Sequence, residues 1–277
     1  MTKKADIEDG NTYKTINGFK LRSDPAREAC FTIAQTDAEM TRIDEAYSAE
    51  ACRERLHRHM NNETGSLEIA AQTLADFPEA PWELRMELAR QAYDETRHIE
   101  GLYQRLCELG GFKGEFPIGN FEWSVTMMQN NLPARLAIQN RTFEAGEMDL
   151  LGGLRKEWRL IGDTKTAELL DDILADEVNH VRFANRWIKR LVKEDGKILL
   201  RIAVAMRFLS DANAAVSPPI EGRASDHSID MASHYKLGVN TTDRRNAEFT
   251  DEEINEILKQ SGMKSLTAST NETTDNG

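Results

Sequence analysis

The chain carries one pentad twice, Asp94-Glu95-Thr96-Arg97-His98 and Asp176-Glu177-Val178-Asn179-His180, and each copy interrupts an apolar helical stripe. Before and after the first copy, Leu84, Leu88, Ala92, Ile99, Leu102, Leu106 and Leu109 recur at three- and four-residue steps; Leu170, Ile173, Ala184, Trp187 and Leu191 do so around the second. Ionisable groups therefore stand where the inward face of a helix should be apolar, and buried charges need partners. Within each pentad Glu and His are three residues apart, which puts both on one helix face about one turn from each other. An imidazole and a carboxylate so placed can share one metal ion. That donor pair suits iron or manganese, and the lack of a cysteine pair argues against structural zinc.

The surrounding pattern supplies the rest of a bundle. Segment A runs from about Ala49 to Phe77 and stops at Pro78-Glu79-Ala80-Pro81; segment B follows and ends at Gly110-Gly111. Segment C starts near Asn131-Leu132-Pro133 and ends at Gly162, and segment D is capped by Asp163. A and B, like C and D, are antiparallel pairs on tight turns, whereas residues 112 to 130 form a long connection without a helical stripe. Short loop, long crossover, short loop is the connectivity of a ferritin-like four-helix bundle, so the expected class is all-α. Ala, Leu, Glu, Met and Arg dominate the middle of the chain and β-branched alternation is scarce, in keeping with that class.

Three regions are expected. Residues 1–48 form a polar arm followed by a peripheral helix, which starts at Asp24-Pro25. Residues 49–211 hold the di-metal bundle with an added fifth helix, and residues 212–277 form an extended wrap, a short helix opened by Thr250-Asp-Glu-Glu, and a disordered tail.

Segments A and C should each lend a lone carboxylate. Glu68, flanked by Leu67, Ala71 and Leu74, is preferred over Glu63, which falls on the more polar flank; Glu144 shares a stripe with Leu136 and Leu151. Glu68, Glu95, His98, Glu144, Glu177 and His180 then make four carboxylates and two imidazoles, the set that holds two iron or manganese ions. Glu147, one turn beyond Glu144, is an extra ligand, a proton relay or an acid beside the ligands. His57 and His59 point to different faces and are read as surface residues, and His227 and His234 lie in the wrap. Arg97 and Arg141, next to ligands, neutralise carboxylates, hold an anionic substrate, or make buried or interfacial salt bridges.

At these residues the chain resembles ferritin-like di-metal carboxylate oxidases and oxygenases, over about Ala49 to Leu191. The first pentad is similar to the DExRH signature of bacterial multicomponent monooxygenases, which implies that Asp94 and Asp176 support histidine ligands by hydrogen bonds. The phrases LEIAAQTLADFPEAP, YDETRHIEGLYQRLCELG, RTFEAGEMDLL and DEVNHVRFANRW resemble more closely a ferritin-like branch distantly similar to tRNA-modifying hydroxylases. The resemblance implies an O2-dependent oxidoreductase with two iron ions, or one manganese and one iron. O2 is its co-substrate, a reductase or ferredoxin its external electron donor, and a small organic molecule its substrate. Phe116, Phe121 and Trp123 of the crossover are placed to line a substrate pocket. A ferroxidase or storage subunit and a hydroxylase of modified tRNA are the competing readings.

Charge bears on partners. Lys plus Arg number 35 against 47 Asp plus Glu, a net charge of -12, which disfavours nucleic acid and anionic membranes as partners. No run of about 20 apolar residues and no secretory leader is seen, so a cytoplasmic protein is expected, with a homodimer compatible. Cys30, Cys52 and Cys107 are read as reduced thiols. Part of the acidic excess belongs to the interior, where metal ions balance it.

Overall fold

The computed structural model describes residues 6–8, 10–43, 45–217 and 238–266. Four long helical stretches form the bundle: α1 (Ala49–Asp76), α2 (Trp82–Glu108), a third stretch from Leu132 to Leu160, and α6 (Thr164–Glu194). Local chemistry sets their ends. The Ser48 side chain accepts the Ala51 N–H at the start of α1, Asp163 does the same for Thr166 in α6, and α2 ends at Gly110, whose φ of 81° an L side chain rarely adopts. α1 and α2 pair antiparallel, and α2 crosses α6 where Gly101 lets Leu169 approach; a Cβ at Gly101 would lie 2.8 Å from the Leu169 methyl. The main core, with Leu56, Leu102, Leu106, Met148, Leu151 and Leu170, fills the bundle on one side of the pentads.

The third stretch is not one regular helix. α4 (Leu132–Ile138) passes into a π turn over Gln139–Glu144 before α5 (Ala145–Leu160) resumes the α register. Within it the Thr142 hydroxyl donates to the Ala137 carbonyl at 2.9 Å, taking up an acceptor left by the wider turn. The crossover is also more ordered than its sequence predicts: strand β5 (Ile118–Gly119) and helix α3 (Phe121–Thr126) lie in it.

The N-terminal region differs from expectation. Strands β1 (Asp6–Glu8), β2 (Asn11–Ile16) and β3 (Phe19–Arg22) form an antiparallel meander, with Asn17 and Gly18 at positive φ in the second turn. No helix starts at Asp24-Pro25. Instead Asp24 accepts from Lys14 Nζ at 2.7 Å and Gln35 Nε2 at 3.0 Å, so its carboxylate ties the arm together instead of capping a helix. β4 (Ile33–Ala34) then pairs parallel with β5 and fastens the arm to the crossover. Ile16 and Leu21 of the meander pack on Ala205 and Leu209 of the fifth helix, α7 (Ile198–Val216), which runs past the expected end.

After α7, residues 218–237 of the expected wrap, with His227 and His234, lie outside the described residues, as do residues 267–277 of the tail. The chain returns as α8 (Thr241–Asn246) and α9 (Asp251–Gln260); Thr250 and Glu253 make the reciprocal capping box read from the sequence. This strap grips α5 through a buried ion pair, Arg244 to Asp149, and Asn240 packs against Gly152. Among the described residues no helix is long and apolar enough to cross a membrane.

Candidate metal centre

Halfway along the bundle the two pentads face each other. Glu95, His98, Glu144, Glu177 and His180 are all at most 3% exposed and lie within one cluster. The carboxylate from α1 is Glu63, not Glu68. Glu68 lies on the flank of α1, where Arg27 of the arm binds it at 2.6 Å, whereas Glu63 is 1% exposed and packed against the pentads. Five residues turn a helix by about 140°, so the two acids cannot share a face. The inward stripe of α1 runs through Leu56, Met60, Glu63, Ile69, Ala70 and Thr73; the stripe used to choose Glu68 is partly exposed, with Ala71 at the surface.

Two donor groups result. Glu63, Glu95, His98 and Glu177 form one, and Glu95, Glu144 and His180 the other, with the donor atoms of each within 4.8 Å of one another. Glu95 belongs to both. His98 Nδ1 is 2.9 Å from Glu95 and 3.3 Å from Glu63; His180 Nδ1 is 3.4 Å from Glu177 and 3.5 Å from Glu95. Both imidazoles thus turn Nδ1 inward and Nε2 outward. The outward nitrogens meet the aspartates in a crossed arrangement, His98 to Asp176 at 3.3 Å and His180 to Asp94 at 3.5 Å, and Arg97 bridges the aspartates at 2.7 Å to each. Asp94 and Asp176 therefore orient histidines of the opposite helix, and Arg97 neutralises the pair.

A test of metal fit comes from the buried atoms. Both carboxylate oxygens of Glu177, His180 Nδ1 and, on the His59 side of its carboxylate, Glu63 Oε1 are buried with no hydrogen-bond partner. Folded chains leave few such atoms, and cations bound among them would satisfy all four. Electrostatics agree. Burial, then the charges of neighbouring glutamates, raises Glu95, Glu144 and Glu177 well above the ordinary carboxyl range. Burial would raise Glu63 as well, but the His59 and His98 imidazoles beside it outweigh burial and hold it low. Burial opposes charge on His98, yet Glu63 and Glu177 push it up to about 10. For Asp94, hydrogen bonds from His180, Arg97 and Arg90 outweigh burial and hold the carboxyl low. The donor set, four carboxylates and two imidazoles without sulfur, suits a pair of divalent iron or manganese ions.

Glu144 is held by amides. Gln91 Nε2 donates to Oε1 in a very short bond and Asn140 Nδ2 to Oε2 at 2.7 Å, with Gln139 at 3.5 Å. The π turn positions Gln139, Asn140 and Glu144 together. Against these amides lies a cavity of about 10 Å³, room for a single water, lined also by Ile69, Leu88 and Leu136. A larger cavity of about 130 Å³, between Cys52 and Trp158, has none of the ligand residues in its wall.

Several residues read otherwise from the sequence. His59 is not at the surface: its Nε2 sits 2.6 Å from Glu147 and 2.7 Å from Glu63. Burial works against its charge, but those two acids push it up to about 10. His57, also read as exposed, is fully buried and its Nε2 accepts the Gly114 N–H at 2.9 Å. Glu122 of α3 was not picked out; it accepts from Gln139 at 2.5 Å and Ser66 at 3.3 Å, and burial, with Glu147 and Glu63 nearby, raises it to about 8. Phe116, Phe121 and Trp123 do not line the cavity. Phe116 stacks edge-on against His57, Phe121 against Phe143, and Trp123 donates to the Ser23 carbonyl. Arg141 bonds Asn185 and Glu253 and lies over Phe249, so it joins the strap to the bundle and meets no ligand.

Comparison with known proteins points the same way. A family profile described as protein of unknown function (DUF455) matches residues 2–255. Over 162 residues the chain is 27% identical to a bacterioferritin of Mycobacterium bovis (strain ATCC BAA-935 / AF2122/97), an overlap of 57% of this chain and 82% of that protein. A bacterioferritin of Mycobacterium tuberculosis (strain CDC 1551) and bacterioferritin BfrA of strain H37Rv match to the same extent. No solved structure gives a significant match. The fold is all-α and ferritin-like.

Proposed function

The chain belongs to the family of proteins of unknown function DUF455, and from that premise and the geometry above we propose an O2-dependent oxidoreductase built on a dinuclear iron centre, acting on a small organic substrate. The observation that carries this reading is the buried set Glu63, Glu95, His98, Glu144, Glu177 and His180, several of whose polar atoms have no partner in the protein. Iron bound there supplies electrons and a Lewis acid for reactions of O2. The protein's own part is to hold and shield. Asp94 and Asp176 fix the tautomers of His180 and His98, and Gln91 and Asn140 restrain Glu144 beside the small cavity. The apolar stripes exclude water. Glu122, neutral up to about pH 8, and His59 with Glu147 can hold protons on the α1 and α5 side.

Iron handling is the second reading, favoured by the likeness to bacterioferritins. Against storage, the arm, α7 and the strap cover bundle faces with this chain's own residues, through Arg27 to Glu68, Leu21 with Leu209, and Arg244 to Asp149. A hydroxylase of tRNA is disfavoured by the net charge of -12. A cytoplasmic site of action and an external reductase or ferredoxin remain parts of the proposal.

The test loads metal-free protein with ferrous ion, adds O2, and follows iron uptake, O2 consumption and particle mass together. An oxidoreductase stops at a few ions per chain in a small assembly and consumes O2 repeatedly when given a reductant and substrate. A large shell that goes on to mineralise iron contradicts it.

A further inference from the structure

Beside the pair of donor groups stands another cluster, and we propose that it is a third divalent-cation position, held by His59, Glu147 and a shared Glu63. The inference rests on the reading of the pair as a metal centre, because Glu63 serves both. His59 and Glu63 are four residues apart on α1 and so lie on one face a turn apart, while Glu147 reaches across from α5, one turn after Glu144. His59 Nε2 lies 2.6 Å from Glu147 Oε1 and 2.7 Å from Glu63 Oε1, and the three donor atoms are within 4.8 Å of one another.

A salt bridge alone does not account for this arrangement. Glu63 is 1% exposed, and its Oε1, aimed at the cluster, makes no hydrogen bond despite the proximity of His59. Among the described residues His59 is the imidazole that touches both carboxylates, while His98 reaches Glu63 from the other side, and the Glu122 carboxyl is close enough to feel both acids. One nitrogen and two oxygens, with no sulfur, match ferrous or manganous ion. α1 is also fixed here: two residues before His59, His57 accepts the Gly114 N–H, and two residues after it Asn61 donates to the Gly119 carbonyl at 2.9 Å, so the crossover clamps the helix that presents His59.

Position suggests the role. The side chains of His59 and Glu147 are 14% and 15% exposed, whereas the donors of the pair are nearly sealed, so the third position lies on the solvent side of Glu63. An ion entering from that side meets His59 and Glu147 first, and Glu63 can pass it inward by exchanging one ion for another on its two oxygens. The position is thus a loading station for the pair.

The experiment is equilibrium dialysis of the metal-free full chain against ferrous ion without oxygen, on the wild type and on the double variant His59→Ala/Glu147→Gln. The expected result is about three ions per chain for the wild type and about two for the variant, with slower filling of the pair. Two ions in both, or three in both, overturns the third position and leaves the pair intact. Two in the wild type and one in the variant assigns His59 and Glu147 to the pair itself, which also overturns it. One or none in the wild type overturns the reading of the pair. Glu147→Gln alone reads the same counts should the double variant fail to fold.

Discussion

The two lone glutamates of the bundle occupy opposite kinds of surroundings. Glu63 of α1, a regular helix, lies between His59 and His98 and is held ionised by them. Glu144, reached through a π turn, is surrounded by the amides of Gln91, Gln139 and Asn140, and burial raises it far above the ordinary range. One half of the site is therefore balanced by the protein's own cations, and the other carries a carboxylate that only amides and a bound ion satisfy. Equivalent positions in a two-hairpin bundle need not be equivalent in charge. An ion entering either half would displace protons, from the imidazoles beside Glu63 in one and from the raised carboxyls of Glu95 and Glu144 in the other.

The sharpest way to break this contrast is to remove each charge in turn from metal-free protein. Glu63→Gln leaves His98 and His59 short of an anion and should cost about 1–3 kcal/mol in chemical unfolding. Glu144→Gln should change stability by less than about 1 kcal/mol, because burial already favours the neutral acid there and glutamine replaces it with another neutral group that still accepts from one of the two amides. Equal costs would show that the halves are alike. Next in size, Asp94→Asn replaces the charged acceptor of His180 with a neutral one and weakens the hold of Arg97, and should lower metal affinity by roughly 10- to 100-fold, measured by competition with a chelator. Asp176→Asn should do the same through His98, so the crossed support predicts matched losses in the two halves.

The smallest effect is a slope with pH. His59 and His98, pushed up to about 10 when folded, contribute stability that is complete below their unfolded value of 6.5 and is lost as pH rises toward 10. Glu95, Glu144 and Glu177 have raised folded values, so they too favour the folded state less as pH rises above 4.5. Glu63 acts oppositely, but in the acid range, where its carboxyl is held low. Thermal melts of metal-free protein should therefore fall steadily between pH 6.5 and pH 9.5, and iron should flatten the decline. A melt that rises over that interval contradicts these charge assignments.

Much of this was readable from residue order, and the misses have physical causes. Helix ends, the antiparallel pairs, the pentads and Glu144 follow from caps, prolines, glycines and a periodic stripe, all of them local signals. Glu68 displaced Glu63 in the sequence reading because the choice between two stripes of α1 depends on which face meets α2 and α6, and Arg27, which takes up Glu68, lies 41 residues away. His59 was missed for the same reason: its partner Glu147 comes from another helix. The meander was readable, since Asn17-Gly18 between two β-prone runs is a strong hairpin signal that was passed over. Asp24-Pro25 looks like a helix start locally, and long-range bonds to Lys14 and Gln35 overrode it. Neither the π turn nor Glu122 has any local sequence mark, since both depend on how α3 and the third stretch pack.

The most direct measurement is anomalous diffraction at the iron edge from crystals of the full chain loaded with ferrous ion. Two peaks are expected in the bundle centre, one within bonding reach of Glu63, Glu95, His98 and Glu177 and the other of Glu95, Glu144 and His180. Iron bound only at the surface, or a filled centre coordinated through Glu68 with Glu63 turned away, contradicts the account.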